Sequence, residues 1–209
     1  MAKVSGGALS FGVSGTVGDV LTFATWKGRP YVRRKVIPAN PNTPAQIGVR
    51  AAMKWGGQVW ATLSPSDQAT WDAKATQGNF SGFNAFMKTN AGDWSNGMGF
   101  QRQDPAETAV AAVIPTLPTA SVAGRQVTIG WKEPATGTLF GSVVHISQTT
   151  GFAPASGNTA VIVDSETNGA DNEAVLATLK PGVYYYRVRC FDVAGIFGPA
   201  TAQATFTVV

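Results

Sequence analysis

The sequence predicts an α+β multidomain protein with an extended N-terminal β-hairpin arm, a small three-helix domain and a C-terminal all-β sandwich. Three observations predict this fold class: basic residues gather near the N-terminus, helix-start signals recur in the middle, and short strands fill the C-terminal half. A chain of 209 residues is long enough for one large or two small domains. The predicted boundaries are 1-43 for the arm, 44-104 for the helical domain with its linker, and 111-209 for the sandwich.

The charge of the chain is low and unevenly distributed. Charged residues make up 13% of the sequence, about half the usual share for a soluble globular protein, which is typical of a surface covered by other subunits. Residues 1–45 hold six basic residues against Asp19 alone and carry +5, whereas residues 105–209 hold five basic and seven acidic residues and carry −2. The basic N-terminal segment therefore predicts an acidic protein surface or a nucleic acid as its neighbour.

The N-terminal segment contains the pattern of a β-hairpin. The runs from Val20 to Trp26 and from Tyr31 to Ile37 are rich in β-branched and aromatic residues, and Lys27-Gly28-Arg29 supplies a short turn between them. An isolated hairpin is marginally stable in water, so we expect this arm to bind a partner. The predicted partner-binding residues are Val20, Phe23, Trp26, Lys27, Arg29, Tyr31, Arg33, Arg34 and Lys35.

Three helix-start signals follow the arm. Thr43 precedes Pro44 and is followed three residues later by Gln46, which predicts a capping box. Ser64-Pro65 and Ser81 predict the starts of a second and a third helix. The aromatic and aliphatic residues on these helices predict a mini-core rather than a ligand site, and residues 91–110 have the composition of a linker. The predicted mini-core is Trp55, Val59, Leu63, Trp71, Phe83 and Phe86.

Alternating apolar residues predict the strands of the sandwich from about Ala111 onward. Inward-facing positions are predicted along each strand, for example Val127, Ile129 and Trp131 on one and Val175 on another. On the longest strand every second residue is predicted to face inward and Arg187 and Arg189 to face outward. The residues predicted to form the centre of the sandwich core are Trp131, Tyr184, Tyr186 and Val188.

The C-terminal part resembles a fibronectin type III domain, an immunoglobulin-like sandwich. The resemblance rests on Trp131 in the second strand and on the run that begins Leu179-x-Pro-Gly-x-Tyr and continues Tyr-Tyr-Arg-Val-Arg. It implies that the hydroxyl of Tyr184 bonds back across a corner of the chain. Because this fold serves adhesion, spacing and display equally well, it implies no definite activity.

Residues 15–90 resemble a module of tailed-bacteriophage virion structural proteins. The resemblance rests on Gly15-x-Val-Gly-x-Val-x-x-Phe-x-x-Trp-Lys-Gly-x-x-Tyr-Val-Arg, followed by Pro38-x-Asn-Pro-x-Thr-x-Ala-Gln and Ser81-Gly-Phe-Asn-x-Phe. It implies a virion structural protein, for which a capsid decoration or cement role is our first expectation. A tail or head–tail connector component is the alternative. The implied partners are the major capsid protein or tail and connector subunits, with this chain present as a homo-oligomer or in multiple copies.

The sequence contains few residues suited to catalysis. His145 is the only histidine and is predicted to lie on the outer face of a strand, and Cys190 is predicted to be a small core residue. No phosphate-binding loop or cluster with metal-ligand spacing is present in the sequence. We therefore expect no catalytic residues, no cofactor and no enzyme activity.

The sequence leaves three further hypotheses open. The acidic residues Asp164, Glu166, Asp171 and Glu173 lie near one another but match no defined calcium loop, so a solvated loop is expected. The mixture of cations with aromatic residues in the arm makes direct DNA contact an alternative partner mode. The loop Thr149–Asn158, with Phe152, makes a host-surface or glycan-binding module a further alternative. With neither a signal peptide nor a membrane span in the sequence, we expect assembly in the host bacterial cytoplasm and a final location in the virion.

Overall fold

The computed structural model describes residues 3–4, 13–18, 20–37, 43–76, 78–165, 168–177 and 179–209. These residues form two compact units, Met1–Pro41 and Asn42–Val209. Several residues used in the sequence-based predictions lie outside the described residues, among them Asp19, Glu166 and the segment 38–42 that ends the predicted arm.

The first unit is an antiparallel sheet of four strands in the order β1-β2-β3-β4. Strands β3 and β4 form the hairpin that the sequence predicted, although β4 ends at Arg34 rather than at Ile37. A two-residue turn joins them, and both of its residues have positive φ, 48° at Lys27 and 77° at Gly28, as a type I′ turn requires. The strands are β1 Lys3–Val4, β2 Val13–Val17, β3 Leu21–Trp26 and β4 Arg29–Arg34.

The second unit begins with the three predicted helices, α1 Pro44–Thr62, α2 Pro65–Ala75 and α3 Gly82–Ser95. Each starts where the sequence predicted. The Thr43 hydroxyl accepts a hydrogen bond from the Gln46 amide at 3.4 Å, and the Gln46 side-chain oxygen accepts one from the Thr43 amide. Ser64 and Ser81 cap α2 and α3. These bonds satisfy amide groups that have no partner within the helix, which fixes the starting residues.

The strands of the second unit form two antiparallel sheets packed face to face, in the orders β5-β6-β9 and β11-β10-β7-β8. The hydroxyl of Tyr184 donates to the carbonyl of Lys180 at 3.1 Å, as the fibronectin type III resemblance implied. Trp131, Tyr184, Tyr186 and Val188 are all buried between the sheets. The strands are β5 Thr116–Ala123, β6 Gln126–Lys132, β7 Leu139–Ser147, β8 Thr159–Asp164, β9 Asp171–Leu176, β10 Gly182–Asp192 and β11 Ala204–Val208.

The helices and the sandwich belong to one unit, which differs from the predicted boundary at residues 104–111. Helix α1 packs on the outer face of the four-stranded sheet and brings Trp55 against Phe140 and Phe191. The predicted helical mini-core is therefore part of a larger core that includes sheet residues. A small helix group cannot bury enough apolar surface alone, and the sheet supplies the missing area. The shared core comprises Ala52, Trp55, Val59, Leu63, Trp71, Ala75, Ala85, Phe86, Trp94, Phe100, Phe140, Val143, Ile162, Phe191 and Val193.

Three further predictions about burial are wrong. In β7 residues on both faces are buried, so His145 has no exposed surface instead of facing solvent. Phe83, assigned to the mini-core, is 38% exposed and contacts Trp60 at the edge of the helices. Val175 points outward, whereas its neighbours Ala174 and Leu176 point into the sandwich. A single residue of register exchanges the two faces of a strand, which explains the error at β9.

The predicted linker of residues 91–110 is shorter than expected. Helix α3 continues to Ser95, so that Trp94 is a buried helical residue, and Phe100 is fully buried in the shared core. The indole N–H of Trp71 donates to the carbonyl of Arg102 at 2.9 Å, which holds this segment against the helices. Among the described residues, no helix combines the length and the apolar composition needed to cross a bilayer.

Candidate partner-binding surface

The first unit has one apolar face. Residues directly opposite each other in antiparallel strands place their side chains on the same side of the sheet. Val17 pairs with Leu21 and Phe23 pairs with Val32, so these four side chains share a face. Val17 is 50%, Leu21 40% and Val32 54% exposed. A sheet that packed on its own core would bury such a row, so this face is a candidate interface.

The opposite face carries cations beside aromatic rings. Trp26 pairs with Arg29, Ala24 with Tyr31 and Thr22 with Arg33, which puts Trp26, Arg29, Tyr31 and Arg33 on this side. Trp26 is 65% exposed, and the ammonium group of Lys27 lies 4.9 Å from the centre of its ring. Exposed aromatic and arginine side chains are the types that dominate the free energy of protein interfaces. The second face is therefore suited to binding as well.

Most of the predicted partner-binding residues are exposed in this structure. Phe23 and Lys35 are partly buried, and all of the others present more than a third of their surface to solvent. Both faces of the hairpin carry cations, because Arg34 lies with the apolar residues, while Arg29 and Arg33 lie with the aromatic ones. The first unit is thus a two-faced surface with an excess of positive charge.

The second unit contains a buried carboxylate, that of Glu133, which was not predicted from the sequence. Glu133 is 2% exposed and stands just after the end of β6. Its oxygens accept hydrogen bonds from side chains that come from widely separated parts of the chain. The donors are Trp131 at 3.2 Å, Ser142 at 2.8 Å, Ser165 at 3.1 Å, Asn172 at 2.8 Å and Cys190 at 3.1 Å. Such a set of donors stabilises a buried carboxylate without a cation, and it ties both sheets together.

His145 is another buried polar group, and it lies on β7, on the face of the four-stranded sheet that is turned away from the sandwich core. Its Nδ1 is 2.9 Å from the side-chain oxygen of Asn158, and its Nε2 accepts a hydrogen bond from Nε of Arg189 at 3.1 Å. The ring is therefore neutral, with the proton on Nδ1. Burial and, to a lesser extent, the charge of Arg189 lower the pKa of His145 to about 3. Burial also raises the pKa of the Cys190 thiol. Neither side chain is placed to act on a molecule in solution.

The buried histidine makes stability depend on pH. Below its ordinary pKa of 6.5 the unfolded chain takes up a proton on His145, whereas the folded chain does not do so until about pH 3. The free energy of unfolding should therefore fall as the pH decreases from 6.5, by up to about 1.4 kcal/mol per pH unit from this group. Urea unfolding at pH 7 and at pH 4.5 measures it. The His145→Gln variant should lose clearly less stability over the same interval, and an equal loss in both proteins would contradict the prediction.

The three described members of the acidic group, Asp164, Asp171 and Glu173, are not arranged as ligands of one metal ion. Asp164 accepts the indole N–H of Trp55 at 2.7 Å, whereas Asp171 and Glu173 lie on the exposed side of β9. Among the described residues there is no group of side chains arranged to hold a metal ion. A cleft of about 510 Å³ between α1 and the sheet edge is lined in part by Trp55, Asp164 and Asn172. Those three side chains are already engaged in hydrogen bonds within the fold.

The loop considered for glycan binding is integrated into the fold. Phe152 is half-buried, with the guanidinium carbon of Arg187 6.0 Å from the centre of its ring. The loop ends in a 3-10 turn, Ser156–Asn158, against which α1 packs at Gly48. A Cβ at residue 48 would meet the Ser156 carbonyl oxygen, so only glycine permits this approach. The loop therefore serves as a structural support, and no observation favours it as a glycan site.

The similarities of this chain to known proteins are structural and distant. No family model matches the chain, and neither does any curated protein sequence. Among solved structures, a Fn3-like protein from Clostridium thermocellum is 19% identical at a TM-score of 0.36, covering 48% of this chain and 96% of that one. The chicken CNTN1 FN1-FN3 domains are 19% identical at a TM-score of 0.38, covering 47% and 33%. The Clostridium perfringens spore cortex lytic enzyme SleM is 15% identical at a TM-score of 0.35, covering 47% and 29%.

The last two resemblances span a third or less of the proteins concerned, and all three are too distant to indicate a function. The fold itself is described by the strand arrangement. Three strands face four, and the hydroxyl of Tyr184 bonds across the corner before β10. The C-terminal part of this chain is a fibronectin type III-like β-sandwich.

Proposed function

We propose that this chain is a virion structural protein, a capsid decoration or cement protein that binds neighbouring subunits through its N-terminal arm and displays the sandwich. The observation that carries the proposal is the exposure of the arm. Its sheet leaves apolar side chains such as Leu21 and Val32 open to solvent on one face and Trp26 and Tyr31 on the other. In an isolated monomer these side chains remain in contact with water and add little to stability. When a partner covers them, their burial contributes to the free energy of binding.

The energetics favour the arm over the sandwich as the binding element. Ordering the backbone costs a free energy of roughly 1 kcal/mol or more per residue, whereas burying a large apolar side chain contributes about 1.5–3 kcal/mol of stabilisation. Within the described residues of the arm, few side chains are buried, so the arm gains this stabilisation only when a partner binds. The second unit, by contrast, has two buried clusters of its own and completes its core without a partner.

The assignment to a virus particle is supported by the sequence resemblance of residues 15–90 to virion structural proteins. That segment includes the exposed hairpin, helices α1 and α2, and the first nine residues of α3. The low proportion of charged residues, 13%, is consistent with an assembled protein whose surface is largely covered. A tail or head–tail component would use the same arm, and copy number separates the two locations.

Removing the apolar face of the arm should prevent incorporation into particles. We expect the double variant Leu21→Ser and Val32→Ser to reduce the amount of protein in purified particles about tenfold or more, because each change removes apolar contact area. Quantitative mass spectrometry against the major capsid protein measures it. The matched control is Val175→Ser, since Val175 is 48% exposed on the sandwich and should be neutral. Equal incorporation of all three proteins would refute the proposal.

The same measurement on the unchanged protein tests its location. For a decoration protein we expect a ratio to the major capsid protein near unity or a simple fraction of it. A ratio that corresponds to a handful or a few dozen copies per particle would instead place the protein in the tail or connector. Symmetric shells and rings differ in copy number in this way whatever the details of the contact.

A further inference from the structure

Strand β4 is an edge strand of the sheet in the first unit. The backbone groups on its outer side have no partner strand within the described residues. The amide of Lys35 donates to the carbonyl of Val20 at 2.7 Å, so this opposed pair is a hydrogen-bonded one. Hydrogen-bonded and non-bonded pairs alternate along an antiparallel ladder. Arg34, Val32 and Pro30 therefore occupy the alternate positions, and their backbone groups point away from β3.

The position of Pro30 agrees with this arrangement. Proline has no N–H to donate and is accommodated in a sheet where that group would face away from the neighbouring strand. Two amide groups, those of Val32 and Arg34, remain directed outward, together with the carbonyls of Pro30, Val32 and Arg34. This is the set of groups with which a sheet edge accepts an additional strand.

The side chains along this edge restrict which strand can pair with it. The strand has the sequence RPYVRR, and all six residues are exposed. Arg33 lies on the aromatic face and Arg34 on the apolar face, so a cation stands beside the edge on each side of the sheet. No acidic side chain is present among the described residues of the arm to neutralise them. Edge cations of this kind repel other basic strands, including β4 of a second copy.

We propose that the outer edge of β4 binds an extended acidic segment of the partner as an additional strand of the sheet. Main-chain hydrogen bonds to Val32 and Arg34 hold the segment in register. Carboxylates of the segment pair with Arg33 on one face and with Arg34 on the other. The proposal rests on the proposed function, because it names the chemistry of the subunit that the arm binds.

The test uses the full-length chain and two short labelled peptides of alternating sequence, one of glutamate with threonine and one of lysine with threonine. Fluorescence anisotropy should show binding of the glutamate peptide and about tenfold or weaker binding of the lysine peptide. Val32→Pro removes an outward amide but no bond to β3, and it should abolish binding. Its control, Val32→Thr, keeps the amide and should bind like the unchanged chain.

A charge exchange keeps the test decisive if Val32→Pro disturbs the hairpin. The double variant Arg33→Glu and Arg34→Glu should bind the lysine peptide in preference to the glutamate peptide. The proposal is overturned if neither peptide binds, if Val32→Pro and Val32→Thr bind equally in folded protein, or if a single-stranded oligothymidine binds more tightly than the glutamate peptide. Dimerisation of the unchanged chain that Val32→Pro abolishes would also overturn it, since the edge would then serve a second copy.

Incorporation into particles distinguishes this inference from the proposed function. If Val32→Pro enters particles normally while it fails to bind the peptide, the edge is not the contact and the virion function stands. If the unchanged protein binds the glutamate peptide but is absent from particles, the virion function fails and the edge inference loses its assigned partner.

Discussion

Replacing Trp55 by alanine should destabilise the second unit by about 3–5 kcal/mol, a cost typical of removing a large aromatic side chain from a packed core. Trp55 is 3% exposed, and its ring meets those of Phe100, Phe140 and Phe191 edge-on at centroid distances of 5.2, 5.3 and 5.4 Å. Its indole also donates to Asp164. The side chain of Trp55 thereby connects α1 with the segment after α3, which contains Phe100, and with the four-stranded sheet.

Urea unfolding followed by far-ultraviolet circular dichroism and by fluorescence measures this effect. Because the helices and the sandwich share Trp55, the two signals should change together in the unchanged protein. Trp26→Ala is the matched control. It removes the same side chain at a 65% exposed position in the arm, so the free energy of unfolding of the second unit should change by less than about 0.5 kcal/mol. Two separate transitions would instead mean that the helices and the sandwich unfold as separate domains, with the boundary that the sequence predicted.

Replacing Glu133 by alanine should destabilise the second unit by about 3–5 kcal/mol, because it leaves several buried donors without an acceptor. Ser142, Ser165 and Asn172 all donate to its carboxylate. Glu133→Gln keeps the shape and one acceptor oxygen and should cost about 1–2 kcal/mol. The order of stability should be Glu, then Gln, then Ala.

Thermal and urea denaturation of the three proteins test this order. Glu173→Ala provides the control, since Glu173 is an exposed carboxylate on β9 and its loss should change the free energy of unfolding by less than about 0.5 kcal/mol. If Glu133→Ala proves as stable as Glu173→Ala, the hydrogen-bonded carboxylate does not support the sandwich and the interpretation is wrong.

The local elements of this fold could be predicted because their determinants lie within a few residues of one another. Thr43 and Gln46 form a capping box by themselves, and Lys27-Gly28 makes its turn without help from the rest of the chain. The same holds for the alternation that buries Val127, Ile129 and Trp131. The candidate partner-binding residues were also predicted from local sequence, since charge and hairpin pattern are local properties.

Contacts between distant segments were not predictable in this way. Nothing near His145 in the sequence indicates that Asn158 and Arg189 contact its ring, so a polar residue opposite Val144 was expected to face solvent. The donors to Glu133 come from strands and loops up to 57 residues away. No periodicity of β6 reveals them, because hydrophobic patterns report one face of one element and not what packs against it.

The sequence by itself determined the hairpin, the helix starts, the sandwich strands and the basic charge of the arm. Only the tertiary structure decided that the helices form a third layer on the sheet, that Glu133 and His145 are buried, and that Phe83 and Val175 are exposed. It also decided which backbone groups of β4 point outward. The physical reason is that local structure follows from neighbouring residues, whereas burial depends on which surfaces meet after the chain has folded.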